Sequence, residues 1–202
     1  RWLEFRRVLF RSPDHYALKK SLLSGKIGKL EKIIITSRDP APPSFKYLKS
    51  SGGIFRDMTI HDFDMVRFYL GNDEVKEIFA TASNISSKKF NEIKDYELAT
   101  CILKSKTGVI CTINNSRHYK YGYDQRIEVF GSKGCLISKN IKKYNFFIDR
   151  YKTAYKLQLQ DLVNLANKNK KPRASFIDGE KALLLANAAY KSLSSKKVIK
   201  IR

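Results

Sequence analysis

The chain has 202 residues, 43% of them hydrophobic, and a formal net charge of +21. That length suits one domain of ordinary size, or one and a small appendage, with ample apolar content for a core. No apolar run approaches the roughly 20 residues that a membrane-spanning helix needs, and no signal peptide is legible at the N-terminus.

The charge by itself suggests a polyanion partner. The lysines argue against one, because they are spread along the whole chain with no Arg-rich arm. The densest runs, Lys168-Asn169-Lys170-Lys171 and Lys196-Lys197, fall at expected helix ends and loops. A basic, non-enzymatic binding module is therefore the alternative reading, and neither nucleic acid nor membrane is the expected partner. Cys101, Cys111 and Cys135 lack metal-ligand spacing and fall in strand-like segments. They are expected to be small buried hydrophobes in a reducing, cytoplasmic compartment.

Residues 1–12 have no clear period and no cap. Pro13-Asp14 opens a helix with Ala17, Leu18, Leu22 and Leu23 as its stripe, and Gly25 closes it. Leu30 to Ser37 reads as a strand around Ile33-Ile34-Ile35. Asp39-Pro40 ends it, and a loop through Ala41-Pro42-Pro43 runs to Ser50. A helix then follows from Ser51 and is terminated by Gly71. Val75 to Ala82 is a strand, and Asn84 to Asp95 a polar loop. Tyr96–Lys104 with Val109–Asn115, and Arg126–Phe130 with Cys135–Ser138, read as two hairpins. Helices at about Thr153–Asn167 and Asp178–Leu193 follow, the second capped by its Asp, and Val198–Ile201 offers a last short strand. Consecutive hairpins with helices gathered together predict an α+β fold, a largely antiparallel sheet with helices on one face. The open face would suit another domain or subunit.

The chemistry concentrates in the helix expected after Ser51. Its Phe63, Val66 and Leu70 share one side, whereas Asp57, His61 and Asp64 fall within roughly 60° of each other on the opposite side. An Asp one turn before a His either orients the imidazole or binds a neighbouring hydroxyl, and a His near neutral pKa is the usual proton acceptor in catalysis. Asp64 is expected to cap a neighbouring loop or pair with Arg67 or Arg38. These spacings are a weak zinc signal, and no metal is expected. His118 is expected in solvent or one step removed from any substrate, and His15 in solvent.

The stretch from Ser51-Gly52-Gly53-Ile54-Phe55-Arg56-Asp57 through His61-Asp62-Phe63-Asp64-Met65 resembles the inositol 2-dehydrogenases of the Gfo/Idh/MocA oxidoreductase family. Gly25-Lys26-Ile27-Gly28, Ser37 to Pro43, Tyr121 to Arg126 leading into Glu128 to Gly134, Arg150-Tyr151 with Ala154-Tyr155, and Asp178 to Ala182 agree in order. The resemblance runs from about Pro13 to Ile201.

It implies the C-terminal, dihydrodipicolinate reductase-like domain of an NAD-dependent enzyme. Such an enzyme oxidises a secondary hydroxyl of myo-inositol or a related cyclic polyol to a ketone. His61 would be the base and Asp57 its partner. Asp39, Tyr123 and Tyr155 would bind substrate. Tyr121 would share a strand face with Tyr123, or serve packing or an interface. The family's Gly-rich Rossmann turn and its Glu-Lys-Pro lysine have no counterpart here, and Gly52-Gly53 is no dinucleotide fingerprint. The expected organisation is a non-matching leader or cofactor-domain remnant over 1–12 and a substrate-binding and oligomerisation domain over 13–202. That fragment would be inactive without its own N-terminal Rossmann domain and would form homo-oligomers through the sheet. The alternative within the family is another sugar or inositol isomer as substrate.

Overall fold

Alternating burial organises the sheet. The computed structural model describes residues 8–168 and 175–201. Strand β1 (Leu30–Arg38) buries Ile33, Ile35 and Ser37 on one face. The other strands are β2 (Val75–Ser83), β3 (Leu98–Ser105), β4 (Ile110–Ser116), β5 (Asp124–Gly131), β6 (Gly134–Ser138) and β7 (Ile199–Lys200). Among the described residues they form one sheet in the order β6-β5-β1-β4-β3-β2-β7. Ile78, Cys101, Leu103, Cys111, Ile113, Ile127 and Val129 point to the core, whereas Ile102, Ile110, Phe130 and Ile137 are exposed on the opposite face. Period-two alternation thus gives one covered and one open face.

Both expected hairpins form, β3 with β4 and β5 with β6. β1 inserts between β4 and β5, parallel to the first and antiparallel to the second. The remaining pairs are antiparallel. The helices are α1 (Pro13–Leu23), α2 (Phe45–Ser51), α3 (Ile54–Asp57), α4 (Thr59–Leu70), α5 (Lys89–Glu92), α6 (Phe147–Lys168) and α7 (Phe176–Ser195). α7 packs on β2 and on α4, which bring Ile78, Ala80, Leu185, Ala186 and Ala189 into the core. None of the described helices is long and apolar enough to cross a membrane.

Several sequence expectations need correction. The helix expected from Ser51 to Gly71 is not continuous. Gly52 and Gly53 adopt φ of 88° and 79° and separate α2 from α3, and Met58, at φ −106° and ψ −62°, separates α3 from α4. Asp57 and His61 therefore sit on different helices. The loop expected up to Ser50 contains α2, whose N-cap Ser44 accepts from the Tyr47 N–H at 3.3 Å. The loop before β3 contains α5, which buries Phe90. α6 begins at Phe147 and bends at Tyr151 (φ −108°, ψ 15°). Ser175, not Asp178, caps α7; Asp178 completes a capping box with it. Cys135 is exposed, while Cys101 and Cys111 are buried.

His15 is wholly buried, because α1 presses it against Tyr151 and Ser138. Val8, Leu9 and Phe10 join the hydrophobic core, and Arg11 Nε donates to Asp161 at 2.9 Å. Residues 8–12 thus pack on the domain they precede. Residues 1–7, 169–174 and 202 lie outside the described residues, and with them Asn169, Lys170 and Lys171 of the Lys168–Lys171 run.

Candidate active site

β1, β4 and β5 end their core-facing alternation on polar residues. The apolar series are Ile33, Ile35, then Ser37; Cys111, Ile113, then Asn115; and, read backwards, Val129, Ile127, then Gln125. Register places these three side by side, since Ser37 is opposite Asn115 on one flank and Gln125 on the other. A row of polar groups in a dry core requires partners. The first turn of α4 supplies one, Asp62, 1% exposed.

Asp62 Oδ1 accepts from Ser37 Oγ at 2.6 Å and from Gln125 Nε2 at 3.2 Å, and Oδ2 accepts from Asn115 Nδ2 at 2.6 Å. Thr59 Oγ1 donates to Asn115 Oδ1 at 2.6 Å, and Tyr123 Oη to Gln125 Oε1 at 3.1 Å. Burial raises the Asp62 pKa, and the hydrogen bonds from Ser37, Asn115 and Gln125 oppose that rise.

Above this floor lies a cavity of about 620 Å3, in the range of small-molecule sites. Asp39 and Pro40–Pro43 line it, with the Asp39 N–H donating to Ser116 O at 2.9 Å just beyond the β1–β4 pairing. Asp57, Met58 and His61 line it too, as do Tyr151 and Tyr155 of α6. The Asp57 carboxylate accepts from Tyr47 Oη at 2.6 Å and from Arg117 Nη1 at 3.1 Å. Asp39 has its pKa raised to about 6, first by burial; Arg117 opposes the rise, and Asp57 and Asp62 add to it. The Tyr123 hydroxyl is pushed further up by burial.

Asp39, Asp57, His61, Tyr123 and Tyr155, singled out in the sequence, all line this cavity. Other residues weighed there lie elsewhere. Asp64 is buried, 3.8 Å from Arg67 Nη1. Tyr121 is 75% exposed; Gly122, at φ 104°, breaks the extended geometry that would have put it beside Tyr123. His118 is exposed. No group of three or more His, Cys, Asp or Glu among the described residues is arranged to hold a metal ion.

Sequence reasoning missed Tyr47, Asp62, Arg117 and the polar row. A signal existed for the row: a polar residue in an apolar slot of an alternating strand.

Residues 15–137 match the GFO/IDH/MocA C-terminal domain. The chain belongs to the Gfo/Idh/MocA family. It is similar to a myo-inositol 2-dehydrogenase of Thermotoga maritima, 42% identical over 91% of this chain and 60% of that protein. It is also similar to an inositol 2-dehydrogenase of Rhizobium meliloti, 40% identical over 94% and 62%. Among solved structures, a putative myo-inositol dehydrogenase from Sinorhizobium meliloti superposes with a TM-score of 0.94, at 39% identity over 96% of this chain and 64% of that one. The chain thus spans about 60% of the length of the curated relatives it matches.

These relatives are dehydrogenases by name, and a scyllo-inositol 2-dehydrogenase of Bacillus subtilis, 27% identical over 89% of this chain, is named as using NAD(+). The Gly52-Gly53 turn does not fit that cofactor's phosphates. At Gly53 a Cβ would collide with Tyr190 Oη and come within 3.0 Å of Asp95 Oδ1. The turn is packed against a phenol and a carboxylate, and is no anion cradle.

Proposed function

We propose that this chain is the substrate-binding part of an NAD-dependent inositol 2-dehydrogenase, oxidising a secondary hydroxyl of myo-inositol or a related cyclic polyol to a ketone. One observation carries the reading. Asp39, Asp57, His61, Tyr123 and Tyr155 come from separate stretches of the chain, and all reach one cavity. A polyol carries a hydroxyl on nearly every carbon, so its site needs many convergent hydrogen-bonding groups.

His61 takes the proton of the reacting hydroxyl as the carbinol carbon gives up hydride. Asp57 orients His61 or accepts from an adjacent hydroxyl. Asp39, Tyr123 and Tyr155 hold the remaining hydroxyls. NAD supplies the hydride acceptor and is bound mainly outside the described residues, in a Rossmann domain of the same protein, without which the 202 residues are inactive. The open sheet face, with Ile102, Ile110, Phe130 and Ile137 exposed, is the surface for homo-oligomers. Buried reduced thiols at Cys101 and Cys111 suit a cytoplasmic protein.

The test joins this chain to the N-terminal part of the Thermotoga maritima relative and follows NAD reduction with myo-inositol and a panel of other inositols and sugars. Turnover is expected from the fusion and not from the 202 residues alone. His61→Ala should cut turnover about 100-fold or more while weakening polyol binding far less. Unaided turnover by the 202 residues would overturn the division of labour, and unchanged turnover in the variant would remove His61 from the chemistry. A fusion that oxidises another sugar but no inositol would change the substrate.

A further inference from the structure

Arg117 is 1% exposed although it lies in the loop that leaves β4. A guanidinium taken out of water is costly unless carboxylates face it with good geometry. Two do: Nη1 donates to Asp57 Oδ2 at 3.1 Å, and Nη2 to Asp95 Oδ2 at 3.3 Å. The Arg117 N–H donates to Glu97 O at 2.8 Å, so its backbone is anchored to the stretch entering β3. Its Nε finds no partner among the described residues.

The second carboxylate closes a loop. Asp95 Oδ1 accepts from the Ile54 N–H at 2.7 Å. Ile54 is the first residue of α3, and Asp57 is its last. A helix of four residues does not hold itself together in water, because nucleation outweighs its few internal hydrogen bonds. Here both of its ends are tied to one ion pair: the N-terminal amide to Asp95, and the C-terminal carboxylate to Arg117. Gly53 packed on Tyr190 and the break at Met58 separate α3 from its neighbours, so the clamp sets where Asp57 points.

We propose that Arg117, with Asp95, is the positioning element of the polyol site, clamping α3 at both ends so that the Asp57 carboxylate is held at the cavity wall. This rests on the polyol reading above. Arg117 touches no cavity surface and acts through Asp57. The same guanidinium also opposes the repulsion that Asp57 and Asp62 exert on Asp39. One buried cation thus serves three carboxylates at or behind the cavity.

The test uses the 202-residue chain and side-chain NMR. In the native chain, Asp57 should populate a single χ1 rotamer, and the Arg117 Nη protons should give separate, slowly rotating signals. Arg117→Lys keeps the charge, but a single ammonium cannot span both carboxylates. The backbone spectrum should remain folded while Asp57 averages over rotamers, with myo-inositol affinity about tenfold weaker. Tyr47→Phe removes the Tyr47 contact with Asp57 and should leave the rotamer single. The proposal is overturned by a single Asp57 rotamer and unchanged affinity in Arg117→Lys. It is also overturned, whatever the variants do, by a native chain with an averaged Asp57 and a freely rotating guanidinium. A rigid native clamp in a chain that binds no polyol would support the positioning role and count against the polyol reading.

Discussion

Ser37 and Gln125 stand opposite each other in neighbouring strands, and the carboxylate of Asp62 accepts from both, at 2.6 Å and 3.2 Å. With Asn115 on the other flank, three strands and α4 meet at one carboxyl group beneath the cavity. The residue next to Asp62 is His61. The floor that satisfies the sheet's polar row therefore also fixes the turn of helix that carries the proposed base.

Truncating Asp62 should be severe. Asp62→Ala leaves Ser37, Asn115 and Gln125 facing a void, and a loss of about 3 kcal/mol is expected from chemical denaturation. Asp62→Asn keeps the volume and one acceptor and should lose less. A change under about 0.5 kcal/mol for the alanine variant would mean that water or side-chain rotation replaces the network at no cost.

Gln125 passes the network on to Tyr123, whose hydroxyl it accepts at 3.1 Å. Gln125→Leu removes that acceptor while keeping bulk. Polyol affinity, measured by calorimetry, should fall about tenfold as the Tyr123 hydroxyl loses its direction. Equal affinity would show that the packing of Tyr123 against Tyr151, ring centroids 6.0 Å apart, suffices.

A half-buried group, Asp39, and a wholly buried one, His15, give opposite pH slopes. Asp39 has its folded pKa raised from 3.8 to about 6. The folded state then binds more protons than the unfolded state between those values, and this contribution to stability is lost as pH rises from about 4 to 6. His15 has its folded pKa lowered from 6.5 to about 4, by burial first, with Asp14 opposing and Arg150 adding. Its contribution is present above about 6.5 and lost as pH falls towards 4. Thermal melts against pH should therefore show Asp39→Asn gaining on the native chain as pH rises through that window. His15→Gln should gain as pH falls. Parallel curves for native and variant would refute the assigned shift in either case.

The positive-φ turn at Gly52-Gly53 is a backbone requirement. Gly53→Ala combines a φ of 79° with a collision against Tyr190 Oη, and a loss of at least about 2 kcal/mol is expected. Gly108→Ala, at φ 97° with open space around it, should lose only about 1 kcal/mol. If the two cost the same, the contact with Tyr190 adds nothing beyond backbone strain.

Much of this was open to a reader of the sequence. Local alternation marks β1 and the two hairpins, and Gly71, Gly108 and the Pro40–Pro43 segment mark ends and turns, because these signals depend on neighbours a few residues away. The five candidate residues, Asp39, Asp57, His61, Tyr123 and Tyr155, were likewise named from local motifs and resemblance. The break at Met58 was not legible, because periodicity alone carries Asp57 and His61 along one helix. Nor was the burial of His15, which depends on Tyr151 and Ser138, 136 and 123 residues away.

By itself the sequence determined the α+β class, the polar and apolar slots of each strand, and which side chains could carry acid–base and hydrogen-bonding chemistry. Tertiary structure alone decided the parallel insertion of β1 between β4 and β5, which aligns Gln125, Ser37 and Asn115 into one row under Asp62. It alone decided that Arg117 reaches Asp57 and Asp95. The reason is physical: a polar group in an apolar slot announces that it needs a partner, but the partner comes from whichever distant segment the pairing of strands brings within about 3 Å.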